Sequence, residues 1–398
     1  MVVGIVAEFN PFHNGHLRLM QYARQVLGAD YIIIAMSGNF TQRGDIAIFD
    51  KYTRAEMALK MGADLVLEIP TIFACSSARE YASCGVELLH STGLTDTILF
   101  GVEDLTKDNI LDYARSVIAA ESGTNFDASM QSLLKQGISY SAARARVMKQ
   151  TLGADFINTP NNILAIEYTR YILQRDYNIN IECLARGNDY NSTVISGDIS
   201  SATAIRNAML NGGDYLNSVP KSLAPIYANA NALSKDDISL MLNYKLQSED
   251  SFEKYADCTA DLSNKINHYK ADFTSFTDFC QALKSKDIAY SRLSRVLCHI
   301  LLNITQAEFD AAKAAGYISN IRLLGFSAKG RGLMGQLKEK SKCPVLTVPD
   351  EAVNRADIFA ANIYRAVLTG KNHENYPTEF TRKFELSNVI SDGTDEGL

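Results

Sequence analysis

Two histidines three positions apart, His13 and His16, sit in the segment Val2 to Leu17, VVGIVAEFNPFHNGHL, where a β-branched run ends in a turn and a helical pattern begins. The chain has six histidines, at 13, 16, 90, 268, 299 and 373, so two in one turn call for a chemical reason. Two imidazoles one helical turn apart can donate hydrogen bonds to the same anionic chain. A helix N-terminus beside them adds unpaired N–H groups and about half a positive charge, and Gly15 lets a ligand approach the backbone. That combination suits a polyphosphate. Zinc would need a third protein ligand, for which Glu8 is the local candidate, and no metal site is expected. A second concentration is Ile199 to Arg206, ISSATAIR, where Ser200, Ser201 and Thr203 can cap a helix or hold phosphate and Arg206 offers a bidentate fork; an ordinary N-cap is the competing reading. The segment MSGNFTQRGDIAIFDKYTRAEMA adds Gln42, Arg43, Lys51 and Arg54, to hold an anion or to line a helix face. Gly101 lies where a base or ribose can rest on backbone, or is simply a turn residue. Asn161 and Asn162, after Pro160 in an expected loop, can read the edge of a base or form an Asx turn. Arg186 can reach phosphates or stay a surface charge.

Positioning these groups requires strands that end together. Val2 to Ala7, Tyr31 to Met36, Asp64 to Ile69, Thr97 to Val102 and Asn178 to Leu184 read as strands. Between them, His16 to Leu27 and Lys51 to Met61 read as helices stopped by Gly28 and Gly62. Strands alternating with helices predict βαβ crossovers and a parallel, doubly wound α/β sheet covered on both faces, with ligands at the carboxyl ends of its strands. After about Leu210 the β signal fades into helices, for example Asp236 to Leu246, Thr277 to Lys284 and Ser291 to Leu302, while Ile321 to Val348 suggests a small α/β element closing the helical part. Asn211, Gly212, Gly213 and Pro220 mark a boundary, giving domains 1–215 and 216–398. Ser387 to Leu398 is expected to fray.

At 398 residues the chain exceeds a single core, and its 46% hydrophobic and 21% charged residues exclude a disordered or fibrous class. No run approaches a membrane span and the start lacks a signal peptide, so a cytoplasmic protein without a membrane partner is expected. Seven scattered cysteines with no C-x-x-C pair argue for reduced, structural thiols. The net charge of −6 hides a local reversal: residues 281–345 hold eleven Lys and Arg against four Asp and Glu. Arg292, Arg295, Arg322, Lys329 and Arg331 in that segment could follow a phosphate backbone, with Tyr290 and Tyr317 to stack on unpaired bases.

The H-x-G-H turn resembles the signature of the nucleotidyltransferase superfamily, and ISSATAIR looks like its second signature, I-S-S-T-x-I-R. The phrases AEFNPFHNGH, MSGNFTQRG, KYTRAEMAL, ADLVLEIP, FGVE, PNNILAIEY, SATAIR and IRLLG are together similar to the tRNA(Met) cytidine acetate ligase family. Ala165 stands within PNNILAIEY where the family pattern has glycine. The resemblance implies a nucleotidyltransferase-like Rossmann domain followed by a mainly α-helical, locally basic tRNA-binding domain. It implies a ligase that uses ATP, with Mg2+, to convert acetate to acetyladenylate and then acetylates N4 of the wobble cytidine of elongator tRNA(Met), with no obligate protein partner. It assigns ATP contacts to Ala7, Glu8, Phe9, Asn10, Pro11, Phe12, His13, Asn14, Gly15, His16, Leu17, Arg18, Leu19, Met20, Gly101, Asn161 and Arg186; in such a reaction His13, His16, Arg206 and Ser201 are the expected catalytic set. A small-metabolite adenylyl- or cytidylyltransferase, and a non-enzymatic nucleotide-sensing RNA-binding protein, are the alternatives.

Overall fold

The structure, a computed structural model, describes residues 1–382 except 124, 137, 139, 153–158, 186–193, 196 and 286–287, and describes the backbone alone at 140–142 and 152. Arg186 and the expected frayed end, Ser387 to Leu398, lie outside the described residues. The first part runs β1 (Val2–Ala7), α1 (Asn14–Gln25), β2 (Tyr31–Ser37), α2 (Lys51–Lys60), β3 (Leu65–Ile69), α3 (Thr71–Ala74), α4 (Ala78–Ser91), β4 (Thr97–Val102), α5 (Lys107–Glu121), α6 (Phe126–Lys135), α7 (Tyr140–Leu152), α8 (Pro160–Gln174), β5 (Asn180–Ala185) and α9 (Ala202–Leu210). The helices α10 (Ala224–Asn229), α11 (Ser239–Gln247), α12 (Ala260–Tyr269), α13 (Phe276–Leu283), α14 (Tyr290–Leu302) and α15 (Gln306–Ala314) follow. The chain then returns to strand in β6 (Ile321–Phe326), passes α16 (Ala328–Arg331) and α17 (Met334–Lys340), adds β7 (Val345–Leu346) and ends in α18 (Arg355–Asn372).

The described residues form a seven-stranded sheet in the order β5-β4-β1-β2-β3-β6-β7, parallel except where β6 runs antiparallel to β3. The five strands expected from the sequence are there. The segment Ile321 to Val348 corrects its expectation: it is not a separate α/β element but two further strands of the same sheet. IRLLGF is apolar enough to be buried beside β3, with Leu65 opposite Phe326, so the chain beyond 216 does not separate cleanly from the sheet. Both faces are covered, as the strands' own alternation requires. Ile33, Ala35, Leu65 and Leu67 face one core with α4, α5 and α8, while Ile32, Ile34 and Val66 face another with α1 and α2. A third core unites the C-terminal helices and takes in Phe40, Ile46 and Cys75 from the first half. No described helix is long and apolar enough to cross a membrane.

Strand order reverses at β1, whose sequence neighbour β2 lies on one side and β4 on the other. With β2 the register holds from Val2 through Ala7; with β4 it holds only at Val3 and Gly4. The carboxyl ends of β1 and β4 therefore part, which is the crevice where such sheets bind ligands.

Candidate active site

Helix α1 starts two residues earlier than its apolar pattern suggests, because histidines cap it. His13 is the N-cap in extended conformation, and its Nδ1 accepts the Gly15 N–H at 3.1 Å; His16 Nδ1 accepts the His13 N–H at 3.2 Å. This is a capping box in which both acceptors are imidazoles. A ring nitrogen that accepts an N–H carries no proton, so in the neutral ring the proton sits on Nε2. Each neutral ring thus carries its proton on Nε2. The rings stack with centroids 3.8 Å apart, His13 is buried, and Phe9 and Phe12 pack on His16 at 4.9 and 5.5 Å. No acidic residue occupies the first turn of α1, so its end is left positive. Gly15 is needed for space, since a Cβ there would stand 2.9 Å from His13 Cε1 and 3.0 Å from Nδ1.

The second signature lies against the first. Asn14 Nδ2 donates to the carbonyls of Asp198 and Asn217 at 2.8 and 2.9 Å, drawing the start of α9 to the start of α1. Ser201 caps α9 through the Ala204 N–H at 3.0 Å, and Ser200 takes a 3.0 Å bond from Ser218. Arg206 reaches across to the Asn10 carbonyl at 2.6 Å and to Thr203 Oγ1 at 3.2 Å. His13, His16, Ser201 and Arg206 therefore meet at one crevice.

Arg54, fully buried, clamps the ends of β1 and β2. It donates to the carbonyls of Phe49 at 2.9 Å, Glu8 at 2.6 Å, Ser37 at 3.1 Å and Gly38. Burial pulls this guanidinium below its ordinary pKa. Lys51 is also buried and bonds both Glu68 oxygens, at 2.7 and 2.8 Å, and Glu379 at 2.8 Å. Burial works against its charge, but Glu68 and Glu379 hold its pKa above the usual lysine value. Glu68 is itself pushed up to about 7, chiefly by burial, with Lys51 opposing. Lys51 and Arg54 are thus parts of the frame rather than anion ligands. Of the four residues expected in that segment, half-buried Arg43 faces the Glu8 carboxylate, and the Gln42 backbone N–H bonds it at 2.6 Å.

Gly101 lies in β4 at the crevice edge, half-buried. Asn161 and Asn162 are not in a loop. They open α8 behind Pro160, a residue suited to the first helical position. Glu103, from the phrase FGVE, accepts their backbone N–H groups at 3.2 and 2.9 Å and the Asn161 amide at 2.7 Å, and Asn162 Nδ2 bonds Asp104 at 2.5 Å. FGVE and PNNILAIEY are thus two halves of one helix cap, a partnership that sequence spacing does not reveal. Ala165 fits without strain in the buried interior of α8.

The expected basic face is corrected in part. Arg292 is buried and paired with Asp257 at 3.1 Å; Arg295 is buried, its pKa lowered by that burial. Arg322 is buried in β6, bonded to the Thr347 carbonyl, to the Leu323 carbonyl at 3.0 Å and to Tyr52 at 3.1 Å. Helix α14 is buried at every residue from Arg292 to Leu302, so both its arginines lie inside the protein, and it packs so closely on the Gly44 loop that a Cβ on Gly44 would stand 2.3 Å from the Arg295 backbone nitrogen. Tyr290 lies under Lys235, and Tyr317 packs on Phe73 at 4.8 Å with its hydroxyl on Glu80, so neither ring is presented for stacking. Lys329, Arg331, Lys338, Lys340 and Lys342 are exposed, on and beside α16 and α17.

Residues 1–379 match the HIGH Nucleotidyl Transferase family. The chain is 32% identical to the tRNA(Met) cytidine acetate ligase of Thermosipho melanesiensis, covering 96% of this chain and 98% of that protein, and 32% identical to that of Clostridium novyi, covering 94% and 97%. The crystal structure of apo Thermotoga maritima TmcAL superposes with a TM-score of 0.83 at 29% identity over 92% of this chain and 95% of that one. The same protein bound with alpha-thio ATP gives 0.82 at 28%, over 92% and 94%.

Proposed function

The chain belongs to the HIGH Nucleotidyl Transferase family and to the tRNA(Met) cytidine acetate ligase family, and from that premise we propose how its crevice makes acetyladenylate from acetate and ATP and passes the acetyl group to a tRNA(Met) cytidine. The observation that carries the reading is the imidazole capping box at the parting of β1 and β4. It sets two stacked imidazoles and a helix N-terminus beside one crevice.

Acetate is a poor acyl donor because oxide would have to leave. Its carboxylate attacks the α-phosphorus of ATP in line, the bond to the bridging oxygen breaks, and pyrophosphate departs with the electron pair. Negative charge grows on the phosphoryl oxygens, where His13, His16 and the α1 N-terminus donate; losing one such preorganised donor costs about 10²–10³ in rate. Arg206 and Ser201, at the start of α9, face the departing pyrophosphate. Ala7 to Met20 wrap the triphosphate, while Gly101 and the α8 cap around Asn161 border the nucleoside. No group of three or more His, Cys, Asp or Glu among the described residues is disposed to hold a metal, so Mg2+ would travel with the triphosphate. In the second step N4 of the wobble cytidine of elongator tRNA(Met) attacks the acetyl carbonyl and AMP leaves. A mobile anticodon loop lets that base unstack cheaply.

For the tRNA backbone we assign the exposed Lys329, Arg331, Lys338, Lys340 and Lys342 in place of the buried arginines. The catalytic crevice lies in 1–215 and the tRNA surface in 216–398, and the protein works in the cytoplasm, where ATP and tRNA are. A small-metabolite transferase would leave the C-terminal half unused, whereas the matched ligases extend over it. Acetate-dependent exchange of labelled pyrophosphate into ATP tests the adenylation step, and its absence overturns the ligase reading. Incubation with ATP, labelled acetate and total tRNA, followed by nucleoside analysis, tests the second step.

A further inference from the structure

The transfer step needs a group to take a proton, and nothing above supplies one. The exocyclic amine of cytidine is weakly nucleophilic because its lone pair is delocalised into the ring. As that pair forms the N–C bond to the acetyl carbonyl, positive charge builds on N4. The carbonyl–oxygen bond to AMP then breaks, AMP takes the electron pair, and one N4–H proton must leave. The two imidazoles are unsuited to receive it, because their Nδ1 atoms already accept backbone N–H groups and their Nε2 atoms carry protons. Carboxylates near the strand ends are mostly engaged: Glu68 with Lys51, Glu103 with the α8 cap, Asp104 with Asn162.

We propose that Glu8 accepts the cytidine amine proton during acetyl transfer. This rests on the ligase reading and assigns a residue to its second step. Glu8 is the first residue past β1, at the edge of the parting between β1 and β4, and Phe9 with φ of 48° turns the chain sharply after it. Its backbone carbonyl is held by Arg54 at 2.6 Å and its Oε1 by the Gln42 N–H at 2.6 Å, so the backbone and one carboxylate oxygen are anchored. Its second oxygen has no hydrogen-bond donor among the described residues, and the side chain is half-buried in the crevice wall. A carboxylate with one anchored and one open oxygen, in a recess that a substrate enters, is suited to this task. Among the described residues, the charged and titratable groups around it are Arg43 from the loop after β2, Arg54 from α2, Arg206 from α9 and Tyr81 from α4. Burial raises the pKa of Glu8, and the Gln42 N–H and the three arginines oppose that rise, keeping the group basic yet ionisable. After transfer Glu8 returns the proton to water.

The test uses the full-length enzyme and Glu8→Gln, comparing acetate-dependent pyrophosphate exchange with single-turnover acetyl transfer from acetyladenylate to tRNA(Met). Transfer in Glu8→Gln should fall about 10²-fold or more beyond any loss of exchange in the same variant, the scale of a lost general base. The transfer rate of the parent enzyme should fall with decreasing pH through one ionisation that Glu8→Gln lacks. Glu8→Asp, which keeps a carboxylate, should recover part of the rate and the pH dependence, and it carries the test if Glu8→Gln does not fold. Equal loss of exchange and transfer, or an unchanged acidic limb in Glu8→Gln, overturns the proposal. A parent enzyme without acetate-dependent exchange refutes the ligase reading itself, a result distinct from either.

Discussion

Gly15→Ala separates the geometry of the histidine turn from the stability of the helix it opens. The added Cβ would stand 2.9 Å from His13 Cε1 and 3.0 Å from Nδ1. The His13 ring must give by several tenths of an ångström, but it is buried and stacked on His16 with centroids 3.8 Å apart, so the two rings move together. The 3.1 Å bond from the Gly15 N–H to His13 Nδ1 lengthens or breaks, and both Nε2–H donors are re-aimed. Losing a cap costs about 1 kcal/mol, while replacing glycine by alanine inside a helix returns up to about 1 kcal/mol, so net stability should change little. Donor misalignment has no such offset, and acetate-dependent pyrophosphate exchange should fall about 10²-fold. Thermal unfolding followed by circular dichroism, beside the exchange assay, checks both halves. Gly335→Ala, where a Cβ meets nothing within 4 Å, is the control and should retain full exchange. Exchange in Gly15→Ala within about threefold of the parent would refute the claim that donor direction, rather than the mere presence of two imidazoles, lowers the barrier.

Lys51→Met leaves the Glu68 and Glu379 carboxylates without their shared cation and should destabilise the protein by about 3–5 kcal/mol, measured by urea unfolding. Burial disfavours the Glu249 carboxylate, but hydrogen bonds from Lys245, Tyr255 and Lys254 outweigh it and hold its pKa down at about 2. A depressed folded-state value stabilises above the unfolded value of about 4.3, and that contribution is lost as pH falls toward 2. Urea midpoints should therefore show Glu249→Gln less stable than the parent at pH 7, with the gap closing toward pH 2. Replacing Lys329 and Arg331 by alanine should reduce the salt slope of tRNA affinity by about 0.7–0.9 per lost phosphate contact, read from filter binding at several salt concentrations. Arg292→Met, which removes a buried guanidinium paired with part-exposed Asp257, should lower the thermal midpoint instead and leave the slope unchanged.

The local geometry of the two signature turns was legible before the fold because it is written in local code. His13, Gly15 and His16 act within one turn of helix, and Ser201 caps the helix that carries Arg206; such contacts depend on spacings of two to five residues. The parallel strands were legible for the same reason, since β-branched runs bounded by Gly and Pro need only their own neighbours to be recognised. The roles of Lys51 and Arg54 were not, because their partners come from the residue after β1, from β2 and β3, and from Glu379 more than 300 positions on. Asn161 and Asn162 looked like loop amides until Glu103, some 58 positions earlier, was seen to cap their helix.

The basic segment draws the line most sharply. Composition determined that residues 281–345 carry an excess of positive charge, and it could determine no more. Which of those charges meet solvent was decided when β6 entered the sheet antiparallel beside β3 and α14 packed against the Gly44 loop, burying Arg322, Arg292 and Arg295 and leaving Lys329 and Arg331 outside. Local propensity acts over a turn or a strand, whereas the burial of a charge depends on surfaces up to some 250 residues away in sequence, as the bond from Ser294 to the Gly44 carbonyl shows.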